Sequence, residues 1–377
     1  MMTPRERYLE TYLFGKPDKV PFSPGGPRES TRAAWHQQGL PEDKNYMTAI
    51  YEILEMEPAR SYKPRASPGT SFRMIPTFEE KVLEHKNGHY IVQDWMGAIT
   101  EISDRYDYTY IRSAKDFVTR KWHRFPVQNW DEWEKMKWRY DPRDPKRHPA
   151  DLKERCRIMQ DRDYVVSFGF NGIFWQLREW VGMENLCMMM IDNPELVHDM
   201  ADFWTEFVSK TMEPIIENVA VDSVTINEDM AFKAHSMISP KMVREFQMPA
   251  YKRWISELKD SGCPIVYMDS DGYVGELIPL WIESGINAEG PNEAAAENDL
   301  VEYRRLYGKK MAYNGGVDKR AIAKGGKVIK DELERVVSPL LKDGGYIPGC
   351  DHGVPPDISW PNFIEYSRLL AKMTGWI

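Results

Sequence analysis

Two stretches decide the fold: Asp222-Ser223-Val224-Thr225-Ile226, followed by Asn227-Glu228-Asp229, and Pro264-Ile265-Val266-Tyr267-Met268, followed by Asp269-Ser270-Asp271-Gly272. Each is a short run rich in β-branched and aromatic residues that ends in an abrupt polar cluster, the pattern of a buried strand running into a loop. Between them, Ser239-Pro240 supplies N-cap and first-turn chemistry, and an amphipathic stretch runs to a Ser261-Gly262 stop. The same alternation continues to the end of the chain. A helix through Leu277, Leu280 and Trp281 stops at Gly285, and Ile286-Asn287-Ala288-Glu289 follows. A helix through Leu300, Tyr303 and Leu306 ends at Gly308, before Lys310-Met311-Ala312-Tyr313. A helical tract over 319–342, interrupted at Gly325-Gly326, precedes Tyr346-Ile347 and a closing helix over 360–373. Strands joined through helices run parallel with right-handed crossovers, which leaves a doubly wound sheet or a closed barrel. A dinucleotide fold needs a glycine-rich phosphate turn, and neither GxGxxG nor GxxxxGK[ST] occurs. The expected fold class is therefore α/β, a (β/α)8 TIM-type barrel whose chemistry sits at the C-terminal ends of its strands.

Working outward, the N-terminal half is less regular. Val20-Pro21-Phe22 reads as the first barrel strand, Tyr164-Val165-Val166-Ser167-Phe168 as a later one, and residues 175–190 as the helix after it. Residues 81–111 alternate around Asn87-Gly88, a hairpin turn signal, which predicts an antiparallel hairpin insertion. Residues 122–149, rich in Trp, Pro and charge, read as a surface excursion. The chain is expected to be a single barrel domain over 1–377, with the insertion and excursion at 78–150.

Composition excludes several classes. Of 377 residues, 42% are hydrophobic and 29% charged, and the net charge of −8 comes without a basic stripe or tail, which argues against nucleic acid as partner. The start lacks an apolar leader, and apolar runs such as Leu186 to Ile191 fall far short of the roughly 20 residues that span a bilayer, so a cytoplasmic protein is expected. Cys156, Cys187, Cys263 and Cys350 contain no CxxC pair, against a disulfide scaffold or a self-contained zinc finger.

Thr3-Pro4-Arg5-Glu6-Arg7, Gly15-Lys16-Pro17-Asp18-Lys19-Val20-Pro21, Arg178-Glu179-Trp180-Val181-Gly182, Asp269-Ser270-Asp271-Gly272 and Gly344-Gly345-Tyr346-Ile347 together resemble the uroporphyrinogen decarboxylase superfamily, over nearly the whole chain. The resemblance implies a (β/α)8 barrel and an enzyme of one of two kinds. One is a tetrapyrrole carboxylate decarboxylase, whose arginine motif RQAGR follows the first strand. Here that stretch is Ser23-Pro24-Gly25-Gly26-Pro27-Arg28-Glu29-Ser30-Thr31-Arg32, which keeps Arg28 and Arg32 but not the motif. The other is a zinc-dependent methyltransferase that moves a methyl group between a cobamide, carried by a corrinoid protein, and a small acceptor. Its thiolate and imidazole ligands correspond to Asp269 and Asp271 at one position and to the His352-Gly353-Val354-Pro355-Pro356 stretch at the other.

The leading expectation is the corrinoid-linked methyltransferase, with tetrapyrrole decarboxylation, or a non-catalytic barrel that binds a corrinoid or small ligand, as the alternatives. Asp269 and Asp271 are two apart on a strand and face one way, so with His352 they form a candidate divalent-metal set, zinc first; a metal-free hydrogen-bonding site is the competing reading. Asp271, just before Gly272 and a helix, also suits a plain cap. Glu228 and Asp229 are the candidate catalytic carboxylates. Arg28, Arg32, Trp175, Arg178, Glu289, Asn314 and Gly315 are the candidate substrate- or cofactor-binding residues, with Trp175, Arg178 and Trp180 as a wall for a flat cofactor. Glu228, Asp269, Asn314 and His352 are expected around one cavity.

Overall fold

A computed structural model describes residues 2–57, 65–107 and 119–377. Eleven strands are present among these residues: β1 (Arg65–Ala66), β2 (Lys81–Lys86), β3 (His89–Gln93), β4 (Ile99–Ser103), β5 (Arg120–Arg124), β6 (Val165–Asn171), β7 (Ser223–Asn227), β8 (Ile265–Asp269), β9 (Ala288–Gly290), β10 (Ala312–Val317) and β11 (Tyr346–Cys350). Seven of them make one curled parallel sheet in the order β1-β6-β7-β8-β9-β10-β11. From β6 onward every neighbour in the sheet is the next strand in the sequence, as serial strand-helix units require.

The strands bury both faces. Val224, Ile226, Val266 and Met268 point to the helical layer and join the main core, which includes Trp204 and Trp254. The alternate residues Val165, Ile265, Ala288, Ala312 and Ile347 form a second cluster on the concave side, with Tyr8 and Tyr12 of the helix Pro4–Tyr12 packed among them. That helix is held by a capping box between Thr3 and Glu6, and Tyr8 Oη lies 3.2 Å from Ser223 Oγ. The aromatic plug fills one end of the concave side and leaves the other, at the C-terminal ends of the strands, open.

The eighth strand does not form. Residues 20–27 run beside β11, with Cys350 N donating to Pro24 O and Val354 N to Gly26 O, but they make only the isolated bridge Pro27 to Val354. Pro21, Pro24 and Pro27 lack the N–H donors that a ladder requires, and Gly25 has a φ of +117°. Two expected single helices are each two. Residues 175–190 fall in Ile173–Val181 and Met183–Asp192, which turn at Gly182 (φ +84°). The stretch after Ser239 divides into Pro240–Phe246 and Met248–Asp260, because Pro249 lacks the N–H that would continue the first helix.

The hairpin lies where Asn87-Gly88 placed it, both residues having positive φ, and β2 to β5 form a separate antiparallel sheet. Residues 108–111, the end of the expected insertion, lie outside the described residues. Residues 122–149 are more than a surface excursion. Trp133, Tyr140 and Arg147 are buried, and the Arg147 guanidinium donates to the carbonyl oxygens of Ser71, Arg73, Arg139 and Asp141 while lying 4.4 Å from the Phe207 ring centre. Arginine's five donors and flat apolar faces let it serve as a buried tie where the composition had suggested solvent. Among the described residues no helix is long and apolar enough to cross a membrane.

Candidate active site

Alternation along the parallel strands puts one polar layer at the open end. Asn171 pairs with Asn227, Asn227 with Asp269, and Asp269 with Gly290, so four adjacent strands end in register. Met268, one residue before Asp269, is fully buried on the opposite face, so Asp269 faces the concave side. Asn314 on β10 sits beside Gly290, its Nδ2 donating to Ile347 O and its Oδ1 3.4 Å from Tyr267 Oη. Gly315 has a φ of +83°, and a Cβ there would run into the carbonyl of Pro291; the glycine admits a close backbone crossing at the mouth.

Above this layer is a cavity of about 430 Å³, lined by Trp175, Asp229, Asp269, Asp271, Asn314 and His352, together with Ser270, Cys350 and the 23–26 segment. Among the described residues, three carboxylates and one imidazole face it, and no lysine or arginine lines it. Two of the carboxylates have partners: Arg178 donates to Asp229 O at 2.9 Å and approaches Oδ2 at 3.4 Å, and His352 Nε2 lies 3.0 Å from Asp271 Oδ2. Asp269 has no side-chain hydrogen bond among the described residues. Burial first, then repulsion from Asp271 and Asp229, pushes its carboxyl up to about 6. Burial likewise raises Asp229, and the hydrogen bond to Asp271 raises His352. Because a carboxylate only accepts, Nε2 carries the hydrogen in that pair; Nδ1 is buried without a partner. The arrangement offers a carboxylate poised to exchange a proton near neutral pH, beside an oriented imidazole.

Several expected residues lie elsewhere. Glu228 does not line the cavity; it is fully buried behind the strand end, accepting from Trp175 N at 3.0 Å and from Tyr251 Oη. Its carboxyl caps the N-terminus of the helix Ile173–Val181, and burial pushes it up to about 7. Glu289 points into the helical layer, 1% exposed, with Oε1 unpartnered, and burial pushes it up to about 8. Period-two alternation separates both from the mouth: each is one residue out of phase with the inward row. Arg28 stands at the rim, 3.8 Å from where a Cβ of Gly353 would be, whereas Arg32 is exposed on the following helix. Trp180 belongs to the core, donating from Nε1 to Tyr140 Oη. Asn171 and Asn227, each the last residue of its strand and in phase with Asp269, complete the polar layer but do not line the cavity.

Among the described residues, no three His, Cys, Asp or Glu side chains converge to hold a metal ion. His352 Nε2 is engaged by Asp271, and Cys350, the nearby thiol, is buried. As arranged, these residues do not fit a metal centre.

Residues 127–367 match the family described as uroporphyrinogen decarboxylase. Curated relatives include the uroporphyrinogen decarboxylases of Ruthia magnifica, 21% identical over 52% of this chain and 56% of that protein, and of Methylococcus capsulatus, 20% identical over 57% and 62%. The chain thus spans about half the length of the curated relatives it matches. Among solved structures, a methyltransferase from Methanosarcina mazei superposes over 100% of this chain and 99% of its own with a TM-score of 0.57 at 16% identity, a likeness of fold. With 127–367 covering all of the sheet from β6 to β11 and the strand ends at which Asp229 and Asp269 stand, the chain belongs to the uroporphyrinogen decarboxylase family.

Proposed function

We propose that the cavity is the acceptor site of a methyltransferase, in which a small protic nucleophile gives its proton to Asp269 and exchanges a methyl group with a cobamide carried by a partner protein. The observation that carries this reading is the charge of the lining, which among the described residues is three carboxylates and one imidazole with no lysine or arginine. A porphyrinogen bearing many carboxylates would meet like charge at close range, with Arg178 committed to Asp229 and Arg32 outside the cavity. As the acceptor's bond to hydrogen breaks, the proton passes to an Asp269 Oδ atom, while the electron pair left on the acceptor forms the new bond to the methyl carbon, whose bond to the partner-borne cobamide breaks with its electron pair leaving on the cobalt. The imidazole of His352, fixed by Asp271, orients the acceptor or donates to it. In this reading the fold is an eight-stave barrel in a cytoplasmic enzyme, with residues 20–27 completing the ring beside β11.

The test is to incubate the protein with methylcobalamin and a panel of thiols and tetrahydrofolate, following the cobalamin spectrum, and in parallel to assay uroporphyrinogen for conversion to coproporphyrinogen. Demethylation of the cobalamin that depends on one acceptor supports the reading. Coproporphyrinogen formed at enzymatic rates overturns it and restores Arg28 and Arg32 to the substrate clamp of a decarboxylase. Saturable corrinoid binding without turnover of either substrate also overturns it, in favour of a binding barrel.

A further inference from the structure

The contact between Asp271 and His352 joins residues that follow β8 and β11, three strands apart in the sheet. Neighbouring strands lie about 4.8 Å apart, so two side chains meet across that span only where the loops that carry them are held toward each other. One chain of contacts holds the loops after β8, β9, β10 and β11 in this way. Gly272 N, one residue after Asp271, donates to Glu293 Oε2 at 3.1 Å. Glu293, after β9, accepts at Oε1 from Lys319 Nζ at 3.0 Å. Lys319 opens the helix Lys319–Lys324 after β10; its backbone N–H donates to Asp351 Oδ1 at 3.2 Å, and its Nζ stands 3.8 Å from the same oxygen. Asp351, one residue before His352, also accepts from Ala294 N at 3.0 Å.

Lys319 is the charge on which this chain closes. Asp351 is fully buried, and among the described residues Lys319 is the one cation within ion-pair distance of either Glu293 or Asp351. Both carboxylates lie against a single ammonium and so stand close together; with the ammonium removed they would repel, and the buried one would be left without a counter-charge. Asn298 also holds the loop after β8, donating to Gly272 O and accepting from Val274 N, but it makes no hydrogen bond to the β11 side. Lys319 does not line the cavity, so its effect on the mouth passes through the residues it holds.

We propose that Lys319 is a positioning residue for the mouth: by bridging Glu293 and Asp351 its ammonium sets the reach between Asp271 and His352 and holds the imidazole in place. The consequence for turnover rests on the role proposed for His352; the geometry does not, and it is measured without turnover.

The Nε2–H of His352 is read in proton–nitrogen correlation spectra of protein labelled with heavy nitrogen at histidine, its signal assigned by its absence from His352→Gln. The bond to Asp271 slows exchange of this proton with water, so a resolved signal is expected in the parent, and Asp271→Ala supplies the exchange rate of the unheld imidazole. Lys319→Met should speed the exchange about tenfold or erase the signal, and Lys319→Arg, which keeps the charge and the donors, should restore it. Amide exchange at Gly272 and Ala294 reports the loops themselves. Faster amides in Lys319→Met beside an unchanged His352 signal would mean that Lys319 merely stabilises the loops, and would overturn the proposal. So would equal loss of the signal in the Met and Arg variants, or a parent proton that exchanges as fast as in Asp271→Ala. Glu293→Gln removes the charge at the other end of the same bridge, so a Lys319→Met that fails to fold does not mask the answer: an unchanged His352 signal in Glu293→Gln overturns the proposal equally.

Discussion

Replacing Glu289 by glutamine should flatten the dependence of stability on pH above pH 6. The Glu289 side chain is 1% exposed on the helical side of β9, and its Oε1 has no hydrogen-bond partner among the described residues. Burial holds the carboxyl protonated up to about 8, against the ordinary glutamate value of 4.5. Between those two values the folded chain keeps a proton that the unfolded chain has released, so stability falls as pH rises from 4.5 to about 8 and is level beyond. Each pH unit in that window costs about 1.4 kcal/mol, which makes the whole fall about 5 kcal/mol and the part between pH 6 and pH 8 about 3 kcal/mol. Glutamine has the same shape and never ionises. Urea titrations of both proteins from pH 6 to pH 8.5 should therefore show the variant gaining about 3 kcal/mol on the parent over that range. A constant difference between the two across the range would mean that Glu289 is hydrated or ion-paired in the folded chain, and the placement argued for it would be wrong.

Glu228→Ala removes the cap on the helix Ile173–Val181 and strands Trp175 N, while Tyr251 Oη keeps Gln247 Oε1 at 2.9 Å; a loss of roughly 1–3 kcal/mol in denaturant titrations is expected, and unchanged stability would refute the capping role. In the cobalamin assay, Asp269→Asn should lower turnover by about 10² to 10⁴, and the parent's rate should fall as pH drops through about 6, where Asp269 takes up a proton and stops acting as a base. A pH profile unchanged in the variant would sink that role. Exhaustive dialysis against a chelator should leave the thermal midpoint unchanged, because the donors at the mouth do not converge on an ion; a metal bound at a hundred times its dissociation constant would have contributed about 2.7 kcal/mol.

The fold was legible because its determinants are local and periodic. Strands, stops and the Asn87-Gly88 hairpin all rest on residues that act through their own backbone or nearest neighbours. The stretch 20–22 was misread for a reason equally local in origin. Its apolar pattern suited a strand, but the prolines through residue 27 withhold the donors a ladder needs. At the site, Asp229, Asp269, Asp271, Asn314 and His352 were picked out by their positions after strands, and they do share one cavity. Glu228 and Glu289 were picked out by the same polar jump and do not line it.

The amino-acid sequence by itself therefore determined the parallel strand-helix architecture, the antiparallel insertion and the set of strand ends at which polar chemistry gathers, since hydrophobic periodicity and turn residues are read within a few positions. Only the tertiary structure decided which of those carboxylates face one another. That choice depends on the phase of each strand in the sheet, in which a one-residue step moves a side chain from the mouth to the helical layer. It also decided their charge state, because the raised carboxyls of Asp269 and Glu289 come first from burial, joined at Asp269 by repulsion from Asp271 and from Asp229 beyond the neighbouring strand.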